Sequence, residues 1–258
     1  IGEVDPIKVA EGKYLSNELT IHFGLVPRTN RGIFCINELP DLAERIQVGL
    51  FNLMEERDVQ IKGYRIRLPV DVYVVATANP EDYTNRGRIV TPLKDRYGAQ
   101  ARTHYPRSLE HEIQIVEQER SHFPDAEERT FVPQYIKDVV AEITALARRS
   151  PDINQRSGVS VRVSIANYET LCSQALRRAL QLGEETAVPR ISDLPSIMAS
   201  TVGKIELESF EEGREVRVVE DLIKKATLNV FNRCFNIREL DPIAQRFEAG
   251  LVVETGLD

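Results

Sequence analysis

The sequence predicts an α/β portion followed by an all-helical portion, and three observations lead to this fold class. Residues 31–37 and residues 70–76 are two short apolar, β-rich runs, the pattern of parallel strands buried on both faces. Each run is followed by polar residues. From residue 108 onwards, apolar residues instead recur at helical spacing. We place the boundary near 105–108, giving an α/β portion over 1–106 and a helical portion over 107–258.

The first elements follow from local patterns. Strand character is expected near residues 19–23, before the first buried strand at 31–37. A helix is predicted to open at Pro40-Asp41, because apolar residues then repeat with a period of about 3.6. Those apolar residues are Leu42, Ile46, Leu50, Leu53 and Met54. Residues 59–68 alternate in polarity around Lys62-Gly63, which predicts a β-hairpin.

After the second buried strand comes a polar loop over 81–96 that holds three arginines, and then a third predicted strand over 100–105, ended by Pro106. Helical patterns occupy the remainder of the chain. They cover residues 109–121, 135–149, 162–182, 193–209 and 216–235. We find no internal repeat and no low-complexity tract.

Composition narrows the function classes. The 258 residues carry a net charge of −7, with a pI of about 5.4, which argues against a general nucleic-acid coat. No apolar run approaches the roughly 20 residues of a membrane helix. The three cysteines lack disulfide or CxxC spacing, which suits a reducing cytoplasm, and the four histidines show no metal-ligand spacing.

The ends of the two buried strands are the candidate site. Asn37 ends the first strand, Glu38 follows it, and Asn79 follows the second strand. In open α/β sheets ligands bind at this carboxyl edge, where a carboxylate and an amide can align a water beside a phosphate. The alternative is two ordinary core strands that end at the surface, with Asn79 serving only as a turn residue before Pro80.

The order of these motifs resembles an AAA+ ATPase, specifically the branch that holds the magnesium-chelatase I subunits and the MoxR-type ATPases. The resemblance covers about residues 1–205 and is most specific over 31–96. It implies a partial AAA+ core, a parallel sheet with flanking helices and a hairpin before the sensor 1 strand, followed by an all-helical lid. It also implies ATP and Mg²⁺ as cofactors, in a ring that is expected to be a hexamer and that remodels a protein partner.

The resemblance assigns roles to particular residues. Residues 33–38 match the Walker B strand, so Glu38 is the base that polarises the attacking water. Asn37 stands where the family has Asp and is a candidate to hold the magnesium through water, although an amide is a poorer ligand than a carboxylate. Asn79 matches sensor 1, and Arg96 matches the arginine finger. A loop arginine paired with Asp95 is the alternative for Arg96.

In the second portion, Arg162 matches sensor 2, which reaches phosphate at the start of a lid helix. Arg86 and Arg88 are alternatives to Arg96 as finger or subunit-boundary residues. The hairpin resembles one that faces the pore of related rings, where Lys62 and Arg65 would touch a threaded polymer. A solvated hairpin tip is the alternative.

No GxxxxGK[ST] phosphate loop occurs in the chain. Either the loop lies upstream of Ile1, which the abrupt start favours, or nucleotide binding has been lost. The family strand order is 5-1-4-3-2, so the predicted strands 70–76 and 100–105 should be parallel but unpaired, about 9–10 Å apart. Because unpaired backbone groups in an apolar layer are costly, another polypeptide would have to supply the strand between them.

The function expected from this reading is an ATP-hydrolysing ring motor. A degenerate AAA+ scaffold without turnover is an alternative, because of Asn37 and the absent phosphate loop. A nucleic-acid translocase is another, and the acidic pI counts against it. A σ54-type activator ranks lower, since no GAFTGA-like loop is present.

Overall fold

The computed structural model describes residues 2–4, 21–57, 69–79, 88–208 and 213–250. The chain divides into two compact units, Ile1–Arg102 and Thr103–Asp258. The predicted hairpin at 59–68, with Lys62 and Arg65, lies outside the described residues, as does Arg86.

The first unit contains two small sheets. Strand β1 (Gly2–Val4) pairs antiparallel with β2 (Ile21–Phe23), which a short helix α1 (Leu25–Arg28) follows. Strand β3 (Gly32–Ile36) pairs in parallel with β4 (Val72–Ala76), so that Gly32 lies opposite Val72 and Ile36 opposite Ala76. The two predicted buried strands are therefore direct neighbours, and their polar ends lie at the same edge.

The described part of this unit also contains helix α2 (Glu44–Glu55) and the short helix α3 (Thr91–Lys94). A 3-10 turn over Leu39–Asp41 precedes α2, so the prediction that the helix opens at Pro40 is wrong by about one turn. The apolar core consists of Val26, Ile36, Leu39, Leu50, Leu53, Val70 and Leu93. The helical stripe therefore reaches the core through Leu50 and Leu53, whereas Ile46 is 47% exposed.

Only one face of the β3–β4 sheet is covered within the described residues. Phe34, Val72 and Val74 pack against the core. The opposite face exposes Ile33 (64%), Tyr73 (71%) and Val75 (40%). The prediction that both strands are buried on both faces is thus wrong for the described part of the chain, because its helices cover a single face.

Residues 100–105 form no strand, contrary to the sequence prediction. Tyr105 instead packs on Arg148, whose guanidinium carbon lies 4.3 Å from the ring centroid. The Tyr105 hydroxyl accepts a hydrogen bond from the Val159 N–H at 3.1 Å. No described strand lies beside this segment to pair with its backbone. The prediction of two parallel, unpaired strands at 70–76 and 100–105 is therefore wrong, because only the first of them is a strand.

The second unit is helical. Its helices are α4 (Leu109–Glu119), α5 (Pro124–Glu127), α6 (Gln134–Ala147), α7 (Val161–Leu182), α8 (Met198–Thr201), α9 (Arg214–Cys234) and α10 (Ile237–Glu248). Ser108 caps α4 and Ser160 caps α7, each accepting a backbone N–H of the first turn. Gly183, with φ of 71°, ends α7 in the left-handed conformation that suits glycine.

One predicted helix of this unit is wrong. Residues 193–209 do not form a continuous helix: a 3-10 segment over Ile191–Ile197 is followed by α8 and a second 3-10 segment over Val202–Lys204. Pro195 lies within the first segment, where it has no N–H for an α-helical bond. The core of the unit is formed by α4, α6, α7 and α9 together with these segments.

Candidate functional site

Thr77 connects the ends of the two parallel strands. Its N–H donates to the Ile36 carbonyl at 2.9 Å, and its carbonyl accepts from the Leu39 N–H at 2.8 Å. Its hydroxyl donates to Asn37 Oδ1 at 2.6 Å and accepts from the Glu38 N–H at 3.0 Å. These four hydrogen bonds fix the backbone and one side chain of the polar segment that follows β3.

Glu38 occupies an unusual backbone conformation, with φ of 52° and ψ of 59°. A non-glycine residue in this left-handed region costs about 1–3 kcal/mol and persists only where its surroundings impose it. Here Thr77 holds Glu38 on one side, and the buried Leu39 and Pro40 anchor the chain on the other. The Glu38 side chain is exposed, so a carboxylate stands at the carboxyl edge of the sheet on a rigid backbone.

Asn37 and Asn79 are both exposed at this edge. The Asn37 amide is oriented, because its oxygen accepts the Thr77 hydroxyl proton. Asn79 lies two residues beyond Thr77, at the end of β4. The structure thus brings Asn37 and Glu38 together through Thr77 and places Asn79 on the adjoining strand end.

Arg96 is the last of the site residues in the first unit, and it contacts α2. Its guanidinium donates to Glu55 and, at 2.7 Å, to the Pro92 carbonyl. The guanidinium carbon also lies 5.0 Å from the Phe51 ring centroid. The sequence alternative of pairing with Asp95 is not what the structure shows, since the acidic partner is Glu55. To reach a ligand, this side chain must exchange the Glu55 contact for one with the ligand.

Gln47 fastens the arginine-bearing segment to α2. It is 1% exposed, and its side-chain N–H groups donate to the carbonyls of Leu42 at 2.9 Å and Arg88 at 3.1 Å. Its side-chain oxygen accepts from the Val90 N–H at 3.0 Å. Both N–H groups and the oxygen of this buried amide are thus hydrogen-bonded. Gln47 therefore fixes the start of the segment that ends in Arg96.

Arg162 lies in the second unit, in the first turn of α7, and its side chain is exposed. A buried network holds the segment just before it. Arg148 donates to both carboxylate oxygens of Glu112, at 2.7 and 3.0 Å, and to the Val159 carbonyl at 2.9 Å. The Ser164 hydroxyl donates to Glu112 at 2.7 Å. The entry into the Arg162 helix is therefore fixed by a buried ion pair.

A separate cavity of about 420 Å³ lies in the second unit, beside Tyr168 and Cys172. Burial raises the pKa of the Cys172 thiol to about 11 and the pKa of the Tyr168 hydroxyl to about 12. A thiol with so high a pKa is almost fully protonated near neutral pH, which is unfavourable for nucleophilic chemistry. The cavity therefore does not compete with the strand ends as a catalytic site.

The residues at the strand ends suit a nucleotide-bound metal better than a metal held by protein alone. Among the described residues, no group of three His, Cys, Asp or Glu side chains could hold a metal ion. Asn37 offers a neutral amide oxygen and Glu38 a single carboxylate. Mg²⁺ usually keeps several waters and binds through one or two carboxylates plus substrate phosphates. The donor set fits that mode.

Sequence reasoning missed Thr77, Gln47, and the Glu112–Arg148 pair. Thr77 gave a signal, since it is a hydroxyl residue between a buried strand and the candidate Asn79. Gln47 gave one too: it falls in the apolar stripe of α2, one turn before Leu50. Nothing in the sequence pairs Glu112 with Arg148, because the two are 36 residues apart.

Comparison with known proteins supports the AAA+ class that the sequence resembles. Residues 10–93 match the family model described as the Sigma-54 interaction domain. This match supports an AAA+ ATPase, and AAA+ domains bind ATP with Mg²⁺ and commonly form rings. It falls on the branch that ranked lower from the sequence, and it does not confirm the magnesium-chelatase/MoxR branch.

The chain is also similar to an uncharacterized protein, YeaC, of Bacillus subtilis (strain 168). The two are 27% identical over 183 residues, which is 64% of this chain and 56% of that protein. The chain thus spans just over half the length of this relative. Among the described residues, no helix has the length and apolar character needed to cross a bilayer.

Proposed function

We propose that the protein is an ATP-hydrolysing AAA+ ring motor of the magnesium-chelatase/MoxR type that remodels a partner protein or complex in the cytoplasm. The observation that supports this most is the Thr77-centred set of hydrogen bonds, which holds Asn37 and Glu38 at the carboxyl edge of two parallel strands. The same contacts sustain the left-handed conformation of Glu38, which is costly for a residue other than glycine.

Glu38 is the general base in this proposal. Its backbone is fixed on both sides while its carboxylate is exposed, so it can accept a proton from a water molecule without rearrangement of the strand. Asn79, on the adjacent strand end, orients that water or the terminal phosphate. Asn37 stays oriented by Thr77 and contacts the metal through water. Bound Mg²⁺ supplies charge neutralisation on the phosphates.

Arg96 acts on the nucleotide of a neighbouring subunit. Its guanidinium leaves Glu55 when the neighbour presents a phosphate, which carries more negative charge than one carboxylate. The Glu55 side chain is 61% exposed, so solvent screens its end of the pair, whereas the Arg96 side chain is only 27% exposed. Arg162, exposed at the start of α7, reports the nucleotide state to the helical unit.

Subunit mixing tests the arginine assignment. Arg96→Ala subunits mixed with Glu38→Gln subunits should recover part of the hydrolysis that each variant lacks alone, because some interfaces then combine an intact base with an intact arginine. Arg102→Ala is the matched control, since Arg102 is an exposed arginine outside this constellation. If the variants assemble and no mixture recovers activity, Arg96 does not act in trans.

A σ54-type activator is the second candidate, favoured by the family match over residues 10–93. Both candidates hydrolyse ATP, and they differ in the partner that hydrolysis remodels. Binding of the full-length protein to σ54, measured with a non-hydrolysable ATP analogue, separates them. Nucleotide-dependent binding would replace the magnesium-chelatase/MoxR assignment with this one. ATP binding without any turnover would instead favour the non-enzymatic scaffold.

A further inference from the structure

The segment that leads into α7 contains a glycine with two separate constraints. Gly158 lies three residues before the helix and has a φ of 68°, in the left-handed region that favours glycine. A methyl group added at this position would overlap the hydroxyl oxygen of Tyr105. The next atom it would meet is the Tyr105 ring carbon Cζ, at an ordinary 3.6 Å. Only the tyrosine hydroxyl therefore needs the space that the missing side chain leaves.

The Tyr105 hydroxyl uses this space to bind the backbone of the next residue, Val159. It accepts a hydrogen bond from the Val159 N–H at 3.1 Å, while the Val159 carbonyl accepts one from Arg148 Nε at 2.9 Å. Val159 is 1% exposed, and both of its backbone polar groups are thus satisfied by side chains. Because the Tyr105 ring also packs on the Arg148 guanidinium, the two side chains form one clamp on Val159.

This clamp on Val159 lies three residues before Arg162 in the chain. Ser160 follows directly, and its hydroxyl accepts the Arg162 N–H at 3.2 Å. The short backbone segment between them is therefore held at both ends, by the clamp and by the helix cap. Since the Arg162 side chain is exposed, this segment sets the point from which the guanidinium extends.

The hydroxyl of Tyr105 can be removed without breaking the buried ion pair beside it. Arg148 donates to both oxygens of Glu112 through its terminal nitrogens, and neither of these hydrogen bonds involves the tyrosine. Loss of the hydroxyl leaves the Val159 N–H without its acceptor and loosens the start of α7. The helical unit should nevertheless remain folded, because Glu112 keeps its cation.

We infer that Tyr105 is a positioning residue for the contact that Arg162 makes with nucleotide. Its hydroxyl sets the backbone that carries Arg162, and Gly158 makes room for that hydroxyl. The inference rests on the proposed function, in which Arg162 responds to the bound nucleotide. Tyr105 itself touches no nucleotide and acts through Arg162.

A double-variant cycle in the full-length protein tests this dependence, with a non-hydrolysable ATP analogue as the ligand. Tyr105→Phe should weaken its binding about fivefold or more, because a misplaced guanidinium loses charge-assisted hydrogen bonds to phosphate. In an Arg162→Ala background the same change should alter affinity less than about twofold. Tyr135→Phe is the matched control, since Tyr135 is exposed and lies at the opposite end of α6 from Arg148. It should also alter affinity less than about twofold.

Gly158→Ala tests the same hydroxyl from the other side. The added methyl group should displace the hydroxyl from the Val159 N–H and weaken binding as Tyr105→Phe does. Added to Tyr105→Phe, it should weaken binding by less than about a further twofold, because phenylalanine has no oxygen at the point of overlap. Effects that multiply would overturn the claim that Gly158 makes room for the hydroxyl.

The Arg162→Ala variant separates the two ways in which the reasoning can fail. If it binds the analogue as tightly as the parent, the sensor assignment in the proposed function is refuted, and the inference with it. If it binds weakly but Tyr105→Phe has the same effect in both backgrounds, only the inference is overturned, because the hydroxyl then acts on the fold alone. Parental affinity in Tyr105→Phe, with the variant folded by circular dichroism, would also overturn the inference.

Discussion

Replacing Arg148 with Met should strongly destabilise the helical unit, because it leaves the Glu112 carboxylate buried without its cation. Glu112 is 2% exposed, and both of its oxygens accept hydrogen bonds from Arg148. The Arg148 side chain is 10% exposed, so solvent screens the pair little. Removing one partner of such a pair typically costs about 3–5 kcal/mol of unfolding free energy.

Replacing Glu112 as well shows whether the unpaired buried carboxylate causes the loss of stability. In the double variant Glu112→Leu with Arg148→Met no buried charge remains, so most of the lost stability should return, to within about 2 kcal/mol of the parent. The remaining deficit is expected because Ser164 loses Glu112 as an acceptor and keeps only Thr144, and because the Val159 carbonyl loses its donor. The free energies of unfolding would be measured by urea titration followed by far-UV circular dichroism.

Arg149→Met is the matched control, because it removes a neighbouring arginine whose side chain is exposed. It should change the free energy of unfolding by no more than about 0.5 kcal/mol. The reasoning fails if Arg148→Met costs no more than this control. It also fails if the double variant is less stable than Arg148→Met, because the carboxylate left behind would then not be the source of the loss.

Three further predictions follow from the sites described above. Thr77→Val should reduce hydrolysis about tenfold or more, and Thr77→Ser should keep it near the parent level, since serine retains and valine lacks the hydroxyl that bonds Asn37 Oδ1 and the Glu38 N–H. Asn37→Asp, which keeps the Thr77 hydrogen bond, should lower the Mg²⁺ concentration for half-maximal hydrolysis, and an unchanged requirement would remove Asn37 from the metal site. Alkylation of Cys172 should stay slow until the pH nears 11, and the free energy of unfolding should fall between pH 9 and 11, because the unfolded thiol ionises first. Fast alkylation at pH 8 would contradict that burial effect.

The sequence predicted which two strands are neighbours and which residues stand at their ends. The family strand order implied the neighbouring pair, and the polar residues that follow each apolar run marked the strand ends. The bonds that organise this edge were not predictable in the same way. Thr77 acts through hydrogen bonds across two strands, and these depend on the register of Ile36 opposite Ala76.

The sequence predictions that failed also depended on contacts between segments that are distant in the sequence. Residues 100–105 have the pattern of a strand, yet a strand needs a paired neighbour, and Tyr105 instead contacts Arg148 and Val159. The alternative that pairs Arg96 with Asp95 is also not what the structure shows. Asp95 is adjacent in sequence, but helical geometry at α3 leaves Glu55 of α2 closer to the guanidinium.

The Glu38→Gln variant of the full-length protein tests the central claim most directly. The measurements are steady-state ATP hydrolysis and ATP affinity, beside Glu56→Gln as a matched exposed control. Removal of a general base should lower hydrolysis about 10²–10⁴-fold, while affinity stays within about threefold of the parent. Hydrolysis within about threefold of the parent would contradict the account, because the carboxylate held at the end of β3 would then have no part in the reaction.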